Sequence, residues 1–230
     1  LAESAALDAG AAMLATETTV TWNGGKARGR RVSRLGAIEL SSTPVRPGRD
    51  EVRRAVLEEV RSRGLEVIGL TKNGESLRRR LALAHQVLGD PWPDVSDEAL
   101  LSRAEEWLDL DGLAAGQGSD ATSGLRGMLG WQESARLDEV IPETITVPSG
   151  SRIRVDYPEP GSDAAPVLAV MLQECFGWTD GPMICDGRVK VVLHLLSPAR
   201  RPLAVTDDLA SFWANVYPSV RAENRGRYSK

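Results

Sequence analysis

The stretch KARGRRVSR places five cations, Lys26, Arg28, Arg30, Arg31 and Arg34, with no acid among them. A guanidinium is a rigid fork of donors that matches phosphate oxygens and stays charged at any physiological pH. On a strand, alternate side chains point to opposite faces, so Arg28, Arg30 and Arg34 fall on one side. A second basic group lies toward the C-terminus. It holds Arg200 and Arg201, then Arg221, Arg225, Arg227 and Lys230, with Tyr217 and Tyr228 among them. Arginines interleaved with aromatic rings suit sequence-tolerant binding of single-stranded nucleic acid, because cations neutralise phosphates and rings stack on bases. The opposing expectation is a solvated face paired with the chain's own acids. Lys26, Arg28, Arg30, Arg31, Arg34, Arg200, Arg201, Arg225 and Arg227 are the candidate nucleic-acid contacts.

Other chemistries find less support. Gly69 to Ser76, GLTKNGES, nearly matches a phosphate-binding loop, but Glu75 occupies the position of the essential lysine. A carboxylate there repels the phosphates a lysine would neutralise, so the segment is read as a strand-to-helix turn. Ser149 and Ser151 sit in PSGSR without a neighbouring base, and His194 lies in the apolar run VVLHLL. A nucleophilic serine needs a base and an orienting acid. Asp207 and Asp208 precede a helix, where capping accounts for them. Cys175 and Cys185 are read as buried hydrophobes in a reducing compartment, and with His85 and His194 they have no ligand spacing for zinc. No catalytic residue and no metal site is expected.

The chain has 230 residues and a net charge of −4, enough length for one large domain or two small ones. That acidity disfavours a dedicated nucleic-acid protein but leaves room for a local basic face. No run of about 18 apolar residues is present, so no membrane span is expected. The opening LAESAALDAG carries acids where a signal peptide needs cations, and it lacks an initiator Met. The expectation is a cytoplasmic protein and an excised chain.

The elements that must position these residues run as strands, then helices, then strands with a terminal helix. That order predicts an α+β fold. Residues 3–14 read as a helix. Glu17–Trp22 and Lys26–Leu40 read as strands paired across Asn23-Gly24. Val52, Val56 and Val60 mark a helix capped by Asp50 and ended by Gly64. LEVIGL reads as a strand, and Leu77, Leu81, Ala84 and Leu88 stripe the next helix. Leu100, Ala104, Trp107 and Leu108 form the buried stripe of a helix opening at Ser96, and DGLAAGQGSD reads as a link. Two short helices cover 121–140. Strands follow at TITV, RIRVDY, the start of PVLAVMLQECFG, RVKVVLHLL and RPLAVT, and Thr206 caps the last helix. The predicted organisation is a β-hairpin segment at 1–46, a helical segment at 47–141, and a β-rich domain with a terminal helix at 142–230.

TVPSGSRIRVDY, APVLAVMLQECFG and the run from VVLHLLSPARRPLAVTDDLASFW to GRYSK resemble the C-terminal region of the HrpB-type bacterial helicases. SRLGAIEL and, more loosely, WPDVSDEALL share the likeness. The parents of that family resemble DEAH-box RNA helicases. The resemblance implies an ATPase in two upstream RecA-like domains, with ATP and Mg bound there and no cofactor here. None of those motifs falls in this chain, so no catalytic residue carries over. The family tail continues past GRY-x-K into His-Pro-Trp-Pro, which implies that Lys230 is a cut edge. Residues 1–46 would then hold the end of an oligonucleotide-binding-like barrel. The implied role is an accessory region of an ATP-dependent RNA helicase, with RNA or single-stranded nucleic acid and the helicase core of the same polypeptide as partners. The alternative is a structural brace or protein-interaction module that does not touch nucleic acid.

Overall fold

The structure, a computed structural model, describes residues 14–23, 26–115 and 121–228, with side chains as far as residue 222. Of the helix expected at 3–14, residues 3–13 lie outside the described residues, as does the turn residue Gly24, and Leu14 is the first residue of a strand. Helices and sheets are mixed in α+β order. The chain divides into two compact units, one of Leu1–Gly74 and Asp97–Gly124, the other of Glu75–Ser96 and Leu125–Lys230.

The first unit opens with an antiparallel sheet of β1 (Leu14–Asn23), β2 (Lys26–Leu35) and β3 (Ile38–Val45), with β2 in the middle. The strand expected over Lys26–Leu40 is two strands. Gly36, at φ 59°, turns the chain between them in a backbone region open to glycine. The described strands form no closed barrel. Trp22 is buried and its indole N–H donates to the Leu113 carbonyl at 3.2 Å. Helix α1 (Arg49–Arg63) buries Val52, Val56 and Val60 and ends at Gly64, φ 80°. Its N-cap is Gly48 rather than Asp50. The Gly48 N–H donates to the Glu51 carboxylate at 2.7 Å, and Asp50 stands in the first turn, at the positive end of the helix dipole.

LEVIGL is not a strand. Leu65–Val67 is a 3-10 turn bracketed by Gly64 and Gly69, both at positive φ, and it drops Leu65 and Ile68 into the core at three-residue spacing. The stripe Leu100, Ala104, Trp107 and Leu108 is buried, but its helix is broken into α3 (Asp97–Ser102) and α4 (Ala104–Trp107). The start of the expected link DGLAAG is helical, α5 (Leu110–Ala114), because Asp109 caps it by accepting from the Gly112 N–H at 2.9 Å.

In the second unit a five-stranded sheet runs in the order β10-β9-β6-β5-β4. Its strands are β4 (Thr144–Thr146), β5 (Arg152–Asp156), β6 (Val167–Met171), β9 (Val192–Leu196) and β10 (Pro202–Thr206). Neighbours are antiparallel except β6 and β9, which are parallel. The β6-to-β9 crossover holds a 3-10 turn, Leu172–Cys175, and a ribbon of β7 (Met183–Ile184) and β8 (Val189–Lys190). RVKVVLHLL therefore splits in two around buried Val191, whose N–H leaves the line of the strand to reach the Pro182 carbonyl. Alternation in β5 is as the sequence predicts. Arg152, Arg154 and Asp156 are exposed, while Val155 and the following Tyr157 are buried.

Helix α2 (Lys72–Leu88) supplies buried Leu77, Leu81 and Ala84 together with buried arginines. Thr71 accepts from the Gly74 N–H at 3.1 Å, so GLTKNGES is a capped helix start and not a strand-to-helix turn. Arg80 donates through Nε to the Ile141 carbonyl at 2.6 Å and through Nη2 to Asp138 at 2.5 Å. Arg78 donates to the Val95 carbonyl at 2.9 Å. Helices α6 (Ala121–Gly127) and α7 (Trp131–Val140) follow the expected 121–140 placement. The chain closes with α8 (Leu209–Ser211), a π turn over Phe212–Val216, and α9 (Tyr217–Tyr228). Its cap is Asp208, which accepts from the Ser211 N–H at 2.9 Å. The predicted cap, Thr206, instead accepts from the Asp208 N–H at 3.0 Å.

The second unit's core can be probed at its buried cation and at its thiols. Arg80→Ala strands the Ile141 carbonyl and removes the arginine stem, and is expected to destabilise by about 2–4 kcal/mol. Asp138→Asn keeps an acceptor at a largely solvated position, 78% exposed, and should stay within about 1 kcal/mol. Urea denaturation of both variants measures the contrast. The free thiols of Cys175 and Cys185 are fully buried, and burial, with Glu174 and Asp186 adding repulsion, pushes each up to about 11. The reactive thiolate is then about a thousandth of each population at pH 8. A thiol-reactive disulfide dye at that pH should label neither cysteine in the native protein and both in urea.

Candidate nucleic-acid interface

The arginine strand is the central strand of its sheet, and the register decides which way each side chain points. Arg28 faces Thr21, Arg30 faces Thr19, and Val32 faces Glu17 across β1. Paired residues share a face, so Arg28, Arg30 and Arg34 share the face of Thr19, Thr21 and Glu17. Ala27, Gly29 and Arg31 share the opposite face with Trp22, Val20 and Thr18. Lys26, Arg28, Arg30, Arg31 and Arg34 are all exposed, whereas Val32, between Arg30 and Arg34, is buried.

Glycine in the middle of the basic run has a steric cause. A Cβ on Gly29 would lie 2.7 Å from the Val45 carbonyl oxygen and 3.3 Å from the Pro47 ring. The close approach of β3 and its exit therefore needs a bare backbone at this point.

The five cations are not equivalent. Arg34 donates to Glu17 at 2.6 Å, and on its other side it is paired in register with Glu39. Lys26, Arg28, Arg30 and Arg31 make no ion pair with a described residue. Arg28 and Arg30 are thus two exposed charges on one face, without an ion pair among the described residues and next to a threonine-rich strand.

The C-terminal candidates belong to the second unit. Arg200 and Arg201 are exposed at the β9–β10 turn. Ser197 builds that turn by accepting the Arg200 N–H at 2.8 Å and donating its own N–H to the Arg201 carbonyl at 2.8 Å, while Arg200 adopts φ 56°. Arg221 is exposed on α9. The side chains of Arg225 and Arg227 lie outside the described residues. The sequence candidates omit an aromatic cluster of Phe176, Phe212, Trp213 and Tyr217. Phe176 is distant in sequence from the other three, and only its loop position signals that it is exposed.

The phosphate-loop look-alike does not fit a nucleotide, because Glu75 stands in the first turn of α2 where a phosphate would need a cation. No cluster of three His, Cys, Asp or Glu residues close enough to hold a metal occurs among the described residues. The hydroxyl of Ser149 contacts Ser151 at 3.1 Å and Glu174 at 3.5 Å, neither of which is an imidazole base. No set of described residues fits ATP or Mg. No helix among the described residues is long and apolar enough to cross a membrane.

The family model for the ATP-dependent helicase C-terminal region, HrpB_C, matches residues 105–230. The chain belongs to that family. It is 41% identical over 221 residues to the ATP-dependent RNA helicase HrpB of Escherichia coli K12, covering 92% of this chain and 27% of that protein. It also resembles the crystal structure of the E. coli DExH-box NTPase HrpB, with TM-score 0.76 and 38% identity over 98% of this chain and 29% of that one. A second crystal structure, of the E. coli DEAH/RHA helicase HrpB, gives TM-score 0.71 and 38% identity over 95% and 28%. The chain spans little more than a quarter of the length of these relatives.

The tight contact at Gly29 yields a prediction. Gly29→Ala forces β2 and β3 apart and is expected to cost about 1–3 kcal/mol, read as a lowered thermal midpoint. Gly127→Ala, at a helical glycine with nothing within 4 Å, should be neutral or slightly stabilising.

Proposed function

We propose that this chain is an accessory C-terminal region of an ATP-dependent RNA helicase and that β2 lends it contact with single-stranded RNA. The observation that carries the reading is the open pair Arg28 and Arg30 on one face of a central strand, in a chain whose net charge is −4. An acidic protein that keeps unpaired guanidiniums together concentrates a local positive field there. Such a field recognises phosphates and carries no base information. That suits a helicase, which must move along unrelated sequences. Hydrolysis, with its ATP and Mg, belongs in this reading to core domains of the same polypeptide, on which this region also packs, in the cytoplasm.

The second reading, a brace without nucleic-acid contact, has its own support in the second unit. There Arg79 pairs with Glu159, Arg80 with Asp138, Arg136 with Asp186 and Arg154 with Glu143, and the terminal segment buries Leu209 and Phe212. Those four cations are spent on the unit's own acids.

The test is binding of labelled RNA by the full-length protein over a range of salt. Replacing Arg28, Arg30 and Arg34 together by serine should weaken unrelated sequences about equally and flatten the salt slope by about 0.7 for each phosphate no longer neutralised. Arg34→Ser alone should have the smallest effect, since Glu17 already holds that guanidinium. A folded triple variant that binds normally would make the strand a solubilising face and favour the brace.

A further inference from the structure

In the second unit, four aromatic side chains form a graded stack. Phe212 is buried, Trp213 and Tyr217 are half-buried, and Phe176 is 51% exposed. Ring centroids lie 5.1 Å apart for Phe212–Trp213, 5.2 Å for Trp213–Tyr217, 5.8 Å for Phe176–Trp213 and 6.1 Å for Phe176–Tyr217. These are ordinary separations for interacting rings.

The stack is fixed from both sides. The Trp213 indole N–H donates to the Trp178 carbonyl at 2.8 Å, which satisfies its only polar atom and sets the ring plane. The Tyr217 N–H reaches back five residues to the Phe212 carbonyl, the bond of a π turn. In an α-helix, residues five apart point well away from each other. The wider turn swings Tyr217 toward Phe212, to a centroid distance of 6.4 Å. Such bulges in helices gather at functional sites. Phe176 is presented by a tight loop. Fully buried Cys175 precedes it, Gly177 at φ 101° follows, and the Trp178 N–H closes the turn on the Cys175 carbonyl at 3.1 Å. A large ring is thus held half in water by backbone geometry, although phenylalanine is among the residues most often buried.

The charge beside the stack indicates its occupant. Arg221 lies four residues beyond Tyr217, on the same side of α9. It is exposed and makes no ion pair with a described residue. Glu174, two residues before Phe176, has its carboxylate 3.5 Å from the Ser149 hydroxyl. An exposed ring on a rigid aromatic base, followed by a guanidinium with no ion pair among the described residues, matches a nucleobase and the phosphate next to it.

We propose that Phe176, backed by Trp213 and Tyr217, is a base-stacking platform for single-stranded nucleic acid, with Arg221 meeting the adjoining phosphate. The proposal rests on the reading that this chain contacts nucleic acid, but it uses none of the β2 residues.

The experiment uses the full-length protein and a labelled oligouridylate of roughly a dozen nucleotides, beside the same strand made abasic. Phe176→Ala should weaken the base-bearing strand about 5- to 100-fold, leave the abasic strand unaffected and keep the salt slope. Phe176→Trp should restore binding, and Phe176→Leu, which keeps apolar bulk without a π face, should not. Undiminished binding by Phe176→Ala overturns the proposal. So does full binding by Phe176→Leu, which would mark the surface as an apolar protein-docking site. Loss in Phe176→Ala while the β2 triple variant binds normally supports the platform and overturns only the arginine-strand reading. Loss confined to the triple variant overturns only the platform.

Discussion

A guanidinium cannot leave water without carbonyl or carboxylate oxygens to replace it, and this constraint arranges much of the molecule. The chain meets it in two opposite ways. In α2, Arg78 and Arg80 go inside, and backbone carbonyls of Val95 and Ile141 receive their Nε–H groups. Those carbonyls belong to loop or helix-end residues without a complete set of intrahelical or ladder bonds. The buried arginines therefore satisfy orphan acceptors while being satisfied themselves. In β2 every cation stays at the surface, where Arg34 alone has a carboxylate, Glu17, among the described residues.

Keeping the β2 cations at the surface shapes that sheet. One side chain between them, Val32, is buried, and Gly29 is bare so that the exit of β3 can close on it. Trp22, on the Gly29 face, provides the anchor by reaching the Leu113 carbonyl. Cationic side chains with long aliphatic stems can flank a buried valine while their heads stay in water. The strand is then both a packed element and a charged surface.

What was legible in the sequence is what short-range patterning controls. Val52, Val56 and Val60 announced α1, and Gly64 its end. Alternation gave the two faces of β5, and period 2 put Arg28, Arg30 and Arg34 together. What was not legible depends on partners distant in sequence or on backbone choices that similar residues leave open. LEVIGL has strand composition, yet two positive-φ glycines bend it into a 3-10 turn. RVKVVLHLL reads as one strand until the Val191 N–H is claimed by Pro182. The caps of α1 and α8 each stand two residues from the expected position, because the acceptor that mattered was Glu51 in one case and Asp208 in the other. At the candidate interface, the difference between Arg34 and Arg30 rests on the placement of Glu17, which follows only from register. The aromatic stack required a π turn, for which Phe212 to Val216 carry no distinctive local signal.

The two proposed surfaces differ in the kind of contact they would offer a strand. Phosphate contacts by arginines are long-ranged and indifferent to base identity, and they weaken steeply with salt. Stacking is short-ranged and nearly salt-independent, yet also tolerant of sequence, because every base has a π face. A surface of the first kind holds a strand loosely while it slides. A surface of the second kind holds one nucleotide at a time and must release it at each advance. Neither reads sequence. Contacts of these two kinds need no base-specific pocket, so one fold can combine them.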